Sequence, residues 1–469
     1  MNTLWRTVAA ALFSATFVQI AHGDNGVKSS PPQPMGPARD YFNDAAFRKQ
    51  YRDAAVKIAK RKIASDEKKR KKSGVQTSFK VKGRISTGGG FSGFFVWDSV
   101  FGVLWGRYVD GMPVHGTLDN FYALQQPDGF ICREYDGSGR PMWRPDHPGA
   151  YNPPILSWAE IELFRFGKSD KARLETVYPK LVKFHACYEK NLKRPDGLYF
   201  SDILGCGMDD LKRWPHKMSR DGLKKGGIEF TKKNLYPWSE KFWKKWMRKI
   251  VPEHTWNRQA AWIDMSAQMA FDCLNLADIA TAIGKDAEAA AWRKEHARIA
   301  ALVNEKCWDE KTGFYYDYCD QGLIMRKHAG AFWVLLAKIP TPERAKRMAA
   351  IIMDPRYFGR TIPVPALSAD DPDYKPLKGY WQGPVWPPTT YVAICGLRAC
   401  GEIEAARKIA HGWYNGNAEY FVRQKTVFEN IMPDYEYIGK KRHHSGRDFC
   451  GWGALAPVAI PAEWRVDCE

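Results

Sequence analysis

Ala289-Ala-Ala-Trp-Arg-Lys-Glu-His-Ala-Arg-Ile-Ala300 is one of two kinds of stretch that decide the fold. It is apolar along one side and charged along the other, the pattern of a helix lying on a surface. The other kind, seen in Ile394-Cys-Gly-Leu397 and Ala454-Leu-Ala-Pro-Val-Ala-Ile460, is apolar nearly all round and reads as a buried helix. The two kinds alternate. The pattern predicts hairpins of Trp97–Arg107 with Gly116–Leu124, Pro154–Phe166 with Lys171–Lys190, and Ile263–Ile283 with Asp286–Cys307. It predicts two more, Ala329–Lys338 with Thr341–Met353 and Thr389–Cys400 with Ile403–Val422. A sixth joins the ends, the apolar Gly451–Ile460 with the charged Asp44–Lys72. No sustained strand-type alternation interrupts them. Six inner helices ringed by six outer ones make an all-α fold, an (α/α)6 barrel or six-hairpin toroid. A helical solenoid would also pair its helices, but no fixed period of about 20 to 50 residues recurs. The loops that precede the inner helices then share one rim, where a cleft forms.

Gly379-Tyr-Trp-Gln-Gly-Pro-Val-Trp-Pro-Pro388 is the most distinctive of those loops. Proline lacks the amide hydrogen and clashes with the preceding turn, so these residues are expected to lead into a helix beginning near Thr389. Flat apolar faces with N–H and O–H tips suit a ligand that is apolar on one face and polar at its edges, as sugars are. A packed aromatic core turn is the alternative.

The chain has 469 residues, 45% of them hydrophobic, enough for one large core. Met1–Arg6 carries one positive charge and is followed by the apolar Val8–Val18 and by Ala21-His22-Gly23. This reads as a secretory leader over 1–23, with a mature chain from Asp24, a basic helical segment over 24–84 and the barrel over 85–469. The expected location is therefore periplasmic or extracellular. Ten cysteines in an exported chain permit disulfides, and they are scattered rather than clustered, so no metal site is expected. The net charge of +19 concentrates at Lys57–Lys72 and between Lys224 and Lys249, where Trp238, Phe242, Trp243 and Trp246 interleave. Nucleic acid is an unsuitable partner for an exported protein. Solvated faces, or electrostatic contact with an anionic polysaccharide or the cell envelope, fit better. Residues 212–256 are long enough to form a lid.

The rim carries Phe94-Phe-Val-Trp97-Asp98-Ser99, Asp128–Glu134, Tyr151-Asn152-Pro-Pro154, Gly207-Met-Asp209-Asp210-Leu-Lys-Arg213-Trp214, Trp262-Ile-Asp264-Met265, the decapeptide and Phe428-Glu429-Asn430. Carbohydrate hydrolysis needs two carboxylates flanking the scissile bond, polar groups for the hydroxyls and an aromatic wall. In this order of motifs, ending in Gly451-Trp452, the chain resembles the six-hairpin glycosidase clan of trehalases, processing α-glucosidases and bacterial mannosylglycerate or glucosylglycerate hydrolases. The resemblance covers roughly residues 85 to 460 and implies an (α/α)6 catalytic domain that inverts anomeric configuration without a cofactor. It places the general acid at Asp209, with Asp210 as a rival, and the general base at Glu429, with Glu436 as the alternative. It puts Trp97 and Asp98 against the sugar, although an aspartate at a helix start is also a cap. Arg133, Asn152, Arg213, Trp214, Asp264, Gln268, Trp381, Gln382, Trp386 and Trp452 complete the expected substrate-binding set. Two departures stand out: Asp210-Leu-Lys212 replaces the clan's usual residues before the arginine, and Gln382 stands where most relatives carry arginine. The expected activity is hydrolysis of an α-glucoside or α-mannoside. A non-catalytic sugar-binding barrel and an unsaturated-uronide hydrolase or lyase acting on anionic polysaccharide are the alternatives.

Overall fold

The computed structural model describes residues 39–73, 79–215, 232–240, 258–377, 379–437 and 444–464. The leader over 1–23, most of the lid over 212–256 and Cys468 lie outside the described residues. Helix α1 (Ala45–Ser73) is followed by the hairpin α2 (Val96–Gly106) and α3 (Val114–Leu124). Next come α4 (Leu156–Arg165) with α5 (Lys171–Leu192), and α6 (Ile263–Ala282) with α7 (Asp286–Lys306). The fourth inner position is the short α8 (Trp333–Leu336), which continues a 3-10 turn at Ala329–Phe332 and pairs with α9 (Pro342–Met353). Then α10 (Pro387–Ala399) pairs with α11 (Ile403–Gln424), and the π turn Leu455–Ala459 runs into α12 (Ile460–Glu463).

Burial separates the two rings as the sequence predicts. Every residue of α2 is buried, and so is Pro387–Leu397 of α10, whereas α7 buries only Ala289, Ile299 and Val303. The inner helices form a closed circuit in which α2 packs on α4, α4 on α6, α6 on α8, α8 on α10, and the terminal π turn touches both α10 and α2. The ring is tight. At Gly396 a side chain would stand 2.7 Å from Leu335 Cβ, so glycine is what lets α10 approach α8. Helix α10 begins at Pro387, two residues before the expected Thr389. The reason is local: both prolines occupy the first helical turn, where a missing amide hydrogen breaks no intrahelical bond.

The long charged helix α1 closes the sixth hairpin against the terminal π turn and also docks on α11. Phe42 N–H donates to Asn415 Oδ1 at 2.9 Å, the Tyr41 hydroxyl to Glu419 at 2.9 Å, and the Tyr51 ring stacks on Phe421 with centroids 4.4 Å apart. Nine very short strands among the described residues were not expected from the sequence. Each lies on a connection that runs from an outer helix to the next inner one, so they stiffen a single rim. Among them are β1 (Phe94–Phe95), which pairs antiparallel with β2 (Glu134–Tyr135), and β8 (Phe428–Ile431), which pairs with β9 (His444–Arg447). Runs of two to four residues are too short to leave a period-2 signal. Cys132, Cys187, Cys206, Cys273, Cys307, Cys395, Cys400 and Cys450 are free thiols.

If α1 is part of the barrel, Tyr51→Ala costs about 3 kcal/mol of unfolding free energy, the range for a buried aromatic truncated to alanine. Equilibrium urea denaturation reads this directly. A cost below about 1 kcal/mol would show that α1 is an appendage.

Candidate active site

Five connections of the rim and the first turn of α2 converge on one cleft with about 750 Å³ of open space. A cleft of this size suits a small ligand. Helix α2 supplies Trp97 and Asp98 from its first turn, and the β1–β2 ribbon supplies Phe95, Arg133 and Glu134. The connection after α5 brings Gly207 and Asp209, the decapeptide brings Tyr380, Trp381 and Trp386, and the β8 region brings Glu429, Phe449 and Trp452. Asn152 braces this assembly: its Oδ1 accepts from Trp97 N–H and its amide donates to the Gly205 carbonyl, both at 3.3 Å. The aromatic wall is built by stacking. The Trp381 and Trp386 rings lie 3.7 Å apart and nearly parallel at 8°, while Tyr380 meets Trp386 edge-on at 4.7 Å.

Asp209 is half-buried against this wall. Burial pushes its carboxyl up to about 7, and Arg133 opposes the shift while Asp210, Glu429 and Glu134 add to it. It is a carboxyl able to hold a proton near neutral pH. Glu429 stands on β8, a strand rather than the expected loop, and its Oε1 accepts a short hydrogen bond from the Tyr380 hydroxyl. Its main-chain carbonyl accepts from Trp452 Nε1 at 2.8 Å. Opposite it on β9, Gly446 has φ of 53°, and a side chain there would come within 2.6 Å of Glu429 Cβ and 2.9 Å of Oε2. Glycine at 446 therefore makes room for the glutamate.

Two more carboxylates face the same space. Asp98 is held well above the usual carboxylate range by burial, opposed by its own backbone amide, with Glu429 and Asp209 adding to the rise. It is not a cap, because Phe95 occupies the cap position of α2. Glu134, which the sequence reading quoted but gave no role, is raised by burial against the pull of Arg133 and accepts from Trp143 Nε1 at 3.3 Å. Tyr380 was likewise quoted without a role. Phe95 belongs to the rim sequence without an expected role, and Phe91, Phe449 and Thr87 also line the cleft and were missed, since an isolated phenylalanine or threonine carries no local signal.

The other expected residues divide. Trp97, Asp98, Arg133, Asn152, Trp381, Trp386 and Trp452 line the cleft together with Asp209 and Glu429. Arg213, Trp214, Asp264, Gln268 and Gln382 are not among its lining residues. Arg213 is fully buried and saturated by carboxylates, with Asp264 at 2.7 Å and Asp317 at 2.6 Å. The cluster fastens the acid connection to the start of α6 and to the strand Asp317–Cys319. The alternative base, Glu436, is exposed in a short 3-10 turn away from the cleft. The rival acid, Asp210, has its carboxylate bound to the backbone of the decapeptide, with Trp381 N–H donating to Oδ1 at 2.6 Å.

A family model described as the mannosylglycerate hydrolase MGH1-like glycoside hydrolase domain matches residues 93–449. A mannosylglycerate hydrolase from Rubrobacter radiotolerans is 24% identical over 289 residues, covering 55% of this chain and 64% of that protein. The chain spans between about half and two thirds of the length of the curated relatives it matches first. In fold, it resembles a GH63 mannosylglycerate hydrolase from Thermus thermophilus in complex with glucose, with a TM-score of 0.63, 19% identity, and coverage of 87% of this chain and 99% of that one. It also resembles a neutral trehalase from Saccharomyces cerevisiae, with a TM-score of 0.57, 16% identity, and coverage of 82% and 74%. Both neighbours share the six-hairpin (α/α)6 barrel.

The contact at Gly446 gives a test of the cleft. Gly446→Ala is expected to lower kcat/KM by about 10²-fold through displacement of Glu429, while the far-ultraviolet circular dichroism stays that of the parent. Unchanged turnover would show that Glu429 tolerates displacement and is not a reacting group.

Proposed function

Because the chain belongs to the mannosylglycerate hydrolase MGH1-like glycoside hydrolase family, we propose that it hydrolyses a small α-glucoside or α-mannoside with inversion at the anomeric carbon. The observation that carries this reading is the pairing, in one aromatic-walled cleft, of a carboxyl protonated near neutrality with a second that accepts a hydrogen bond. Asp209 gives its proton to the glycosidic oxygen as the bond from that oxygen to C1 breaks. Glu429 takes a proton from the water whose oxygen attacks C1 from the opposite face. The proton lost by Asp209 leaves on the aglycone, and the one gained by Glu429 returns to solvent.

The surroundings suit these parts. The indole pair Trp381 and Trp386, with Trp97 and Trp452, offers flat apolar surface to a pyranose ring. Asp98 and Glu134 offer oxygens to its hydroxyls. Among the described lining residues, four carboxyl groups stand against one guanidinium, that of Arg133, which favours an uncharged glycosyl ring over a uronide. The retained acid Asp209 favours an enzyme over a sugar-binding barrel. Export is part of the same proposal and rests on the apolar leader at 1–23.

Proton nuclear magnetic resonance of the first product released from a panel of α-linked glucosides and mannosides tests the reading. The β anomer is expected first, and Asp209→Asn and Glu429→Gln should each lower kcat by about 10³-fold. Appearance of the α anomer first, or full activity in either variant, would overturn it. The pH profile has a definite sign. The acid must be protonated, so kcat/KM should fall as pH rises through about 7, the region where Asp209 gives up its proton.

A further inference from the structure

Asp210 adjoins the acid in sequence, but what its carboxylate holds is the wall that carries the base's partner. Oδ1 accepts from Trp381 N–H at 2.6 Å, and the Gln382 side-chain amide donates to Oδ2 at 3.3 Å and to the Asp210 main-chain carbonyl at 3.1 Å. The next residue back, Tyr380, donates its hydroxyl to Glu429. The three residues Tyr380-Trp381-Gln382 thus form a strap, bonded at one end to the connection that carries Asp209 and at the other to Glu429. The two sequence departures at 210 and 382 are the two halves of one contact.

We propose that Asp210 is a positioning residue for the base: by anchoring Tyr380–Gln382 it keeps the Tyr380 hydroxyl on the Glu429 carboxylate. The proposal rests on the reading of Glu429 as general base. Glu429 faces Asp98 from α2 and Asp209 from the acid connection, with Glu134 and Arg133 from the β1–β2 side of the same cleft. Its neighbour on β9, Gly446, carries no charge. Two nearby carboxyls disfavour a negative Glu429, and the Tyr380 hydroxyl is a donor that stabilises it. Burial keeps that phenol neutral far above its ordinary range, so it remains a donor across the working pH range. Slackening the strap removes the donor, and Glu429 then binds a proton more readily. Since the base must be ionised, the acidic limb of kcat/KM moves to higher pH.

The experiment measures kcat/KM against pH, from the sugar released, for methyl α-glucoside or methyl α-mannoside, whose alkoxide leaving group needs the acid, in Asp210→Ala, Asp210→Asn and Tyr380→Phe, with Asp209→Asn and Glu429→Gln alongside. Tyr380→Phe is expected to move the acidic limb up by about one pH unit, the size of a lost hydrogen bond to a charged group. Asp210→Ala should reproduce that movement and lower kcat/KM by about 10²-fold. Asp210→Asn keeps an acceptor for Trp381 N–H and should restore most of both. An unmoved limb in Asp210→Ala overturns the proposal. So does an Asp210→Asn variant as inactive as Asp209→Asn and rescued on the corresponding α-glycosyl fluoride, because Asp210 would then be the acid. If Asp210→Ala does not fold, Gln382→Met removes the side-chain half of the strap and must move the limb in the same direction; an unmoved limb there overturns the proposal. Failure of the underlying reading is separate, since Asp209→Asn and Glu429→Gln would then remain active.

Discussion

Closure of the inner ring is the constraint on which the rest of the structure depends. Trp105 near the end of α2 donates its Nε1 to the Cys450 carbonyl at 3.0 Å, and the two residues stand 345 positions apart. Arg107, Tyr108 and Tyr391 all meet the Glu463 carboxylate at the other end of the terminal helix. These contacts set the last inner element between the first and the fifth. Only then do the motifs at Trp97-Asp98 and Phe428–Trp452, nearly the whole chain apart, become opposite sides of one cleft. A barrel left open at this seam would keep its hairpins and lose its site.

Within the cleft, position translates into different chemistry for similar groups. Asp209 and Glu429 share the same pocket, yet burial dominates at one and the Tyr380 hydroxyl bonds the other. Burial raises a carboxyl, whereas a hydroxyl donor stabilises the ionised form that it bonds. Arg133 limits the rise at Asp209, which keeps the acid in a range where its proton is transferable. Arg213 answers a different need. Although burial pushes Asp317 up, Arg213 and His328 hold it well below the usual carboxylate range, so this buried cluster stays charged and binds the acid connection to the barrel.

Much of this was legible in the sequence, and the parts that were not have physical causes. Helix pairing is written in the contrast between Ala289–Ala300 and Ala454–Ile460, because burial all round and burial on one face leave different patterns. The aromatic and acidic motifs located the rim. Their division of labour was not visible, since Asp209 and Asp210 are chemically identical until the fold gives one a cleft and the other a backbone amide. Arg213 read as a substrate ligand because an arginine beside an acid looks the same whether it faces solvent or two buried carboxylates. Tyr380 and Glu134 were missed as site residues for the complementary reason: their partners, Glu429 and Arg133 with Trp143, come from pairings that only the folded rim defines.

The central claim is that two carboxyls in one cleft take different parts because burial raises Asp209 while the Tyr380 hydroxyl bonds Glu429. Infrared difference spectroscopy across a pH titration measures this most directly. The account predicts a protonated carboxyl C=O band that disappears as pH rises through about 7 and is absent in Asp209→Asn. A parent protein whose Asp209 is already ionised at about pH 5, well below that range, would contradict it.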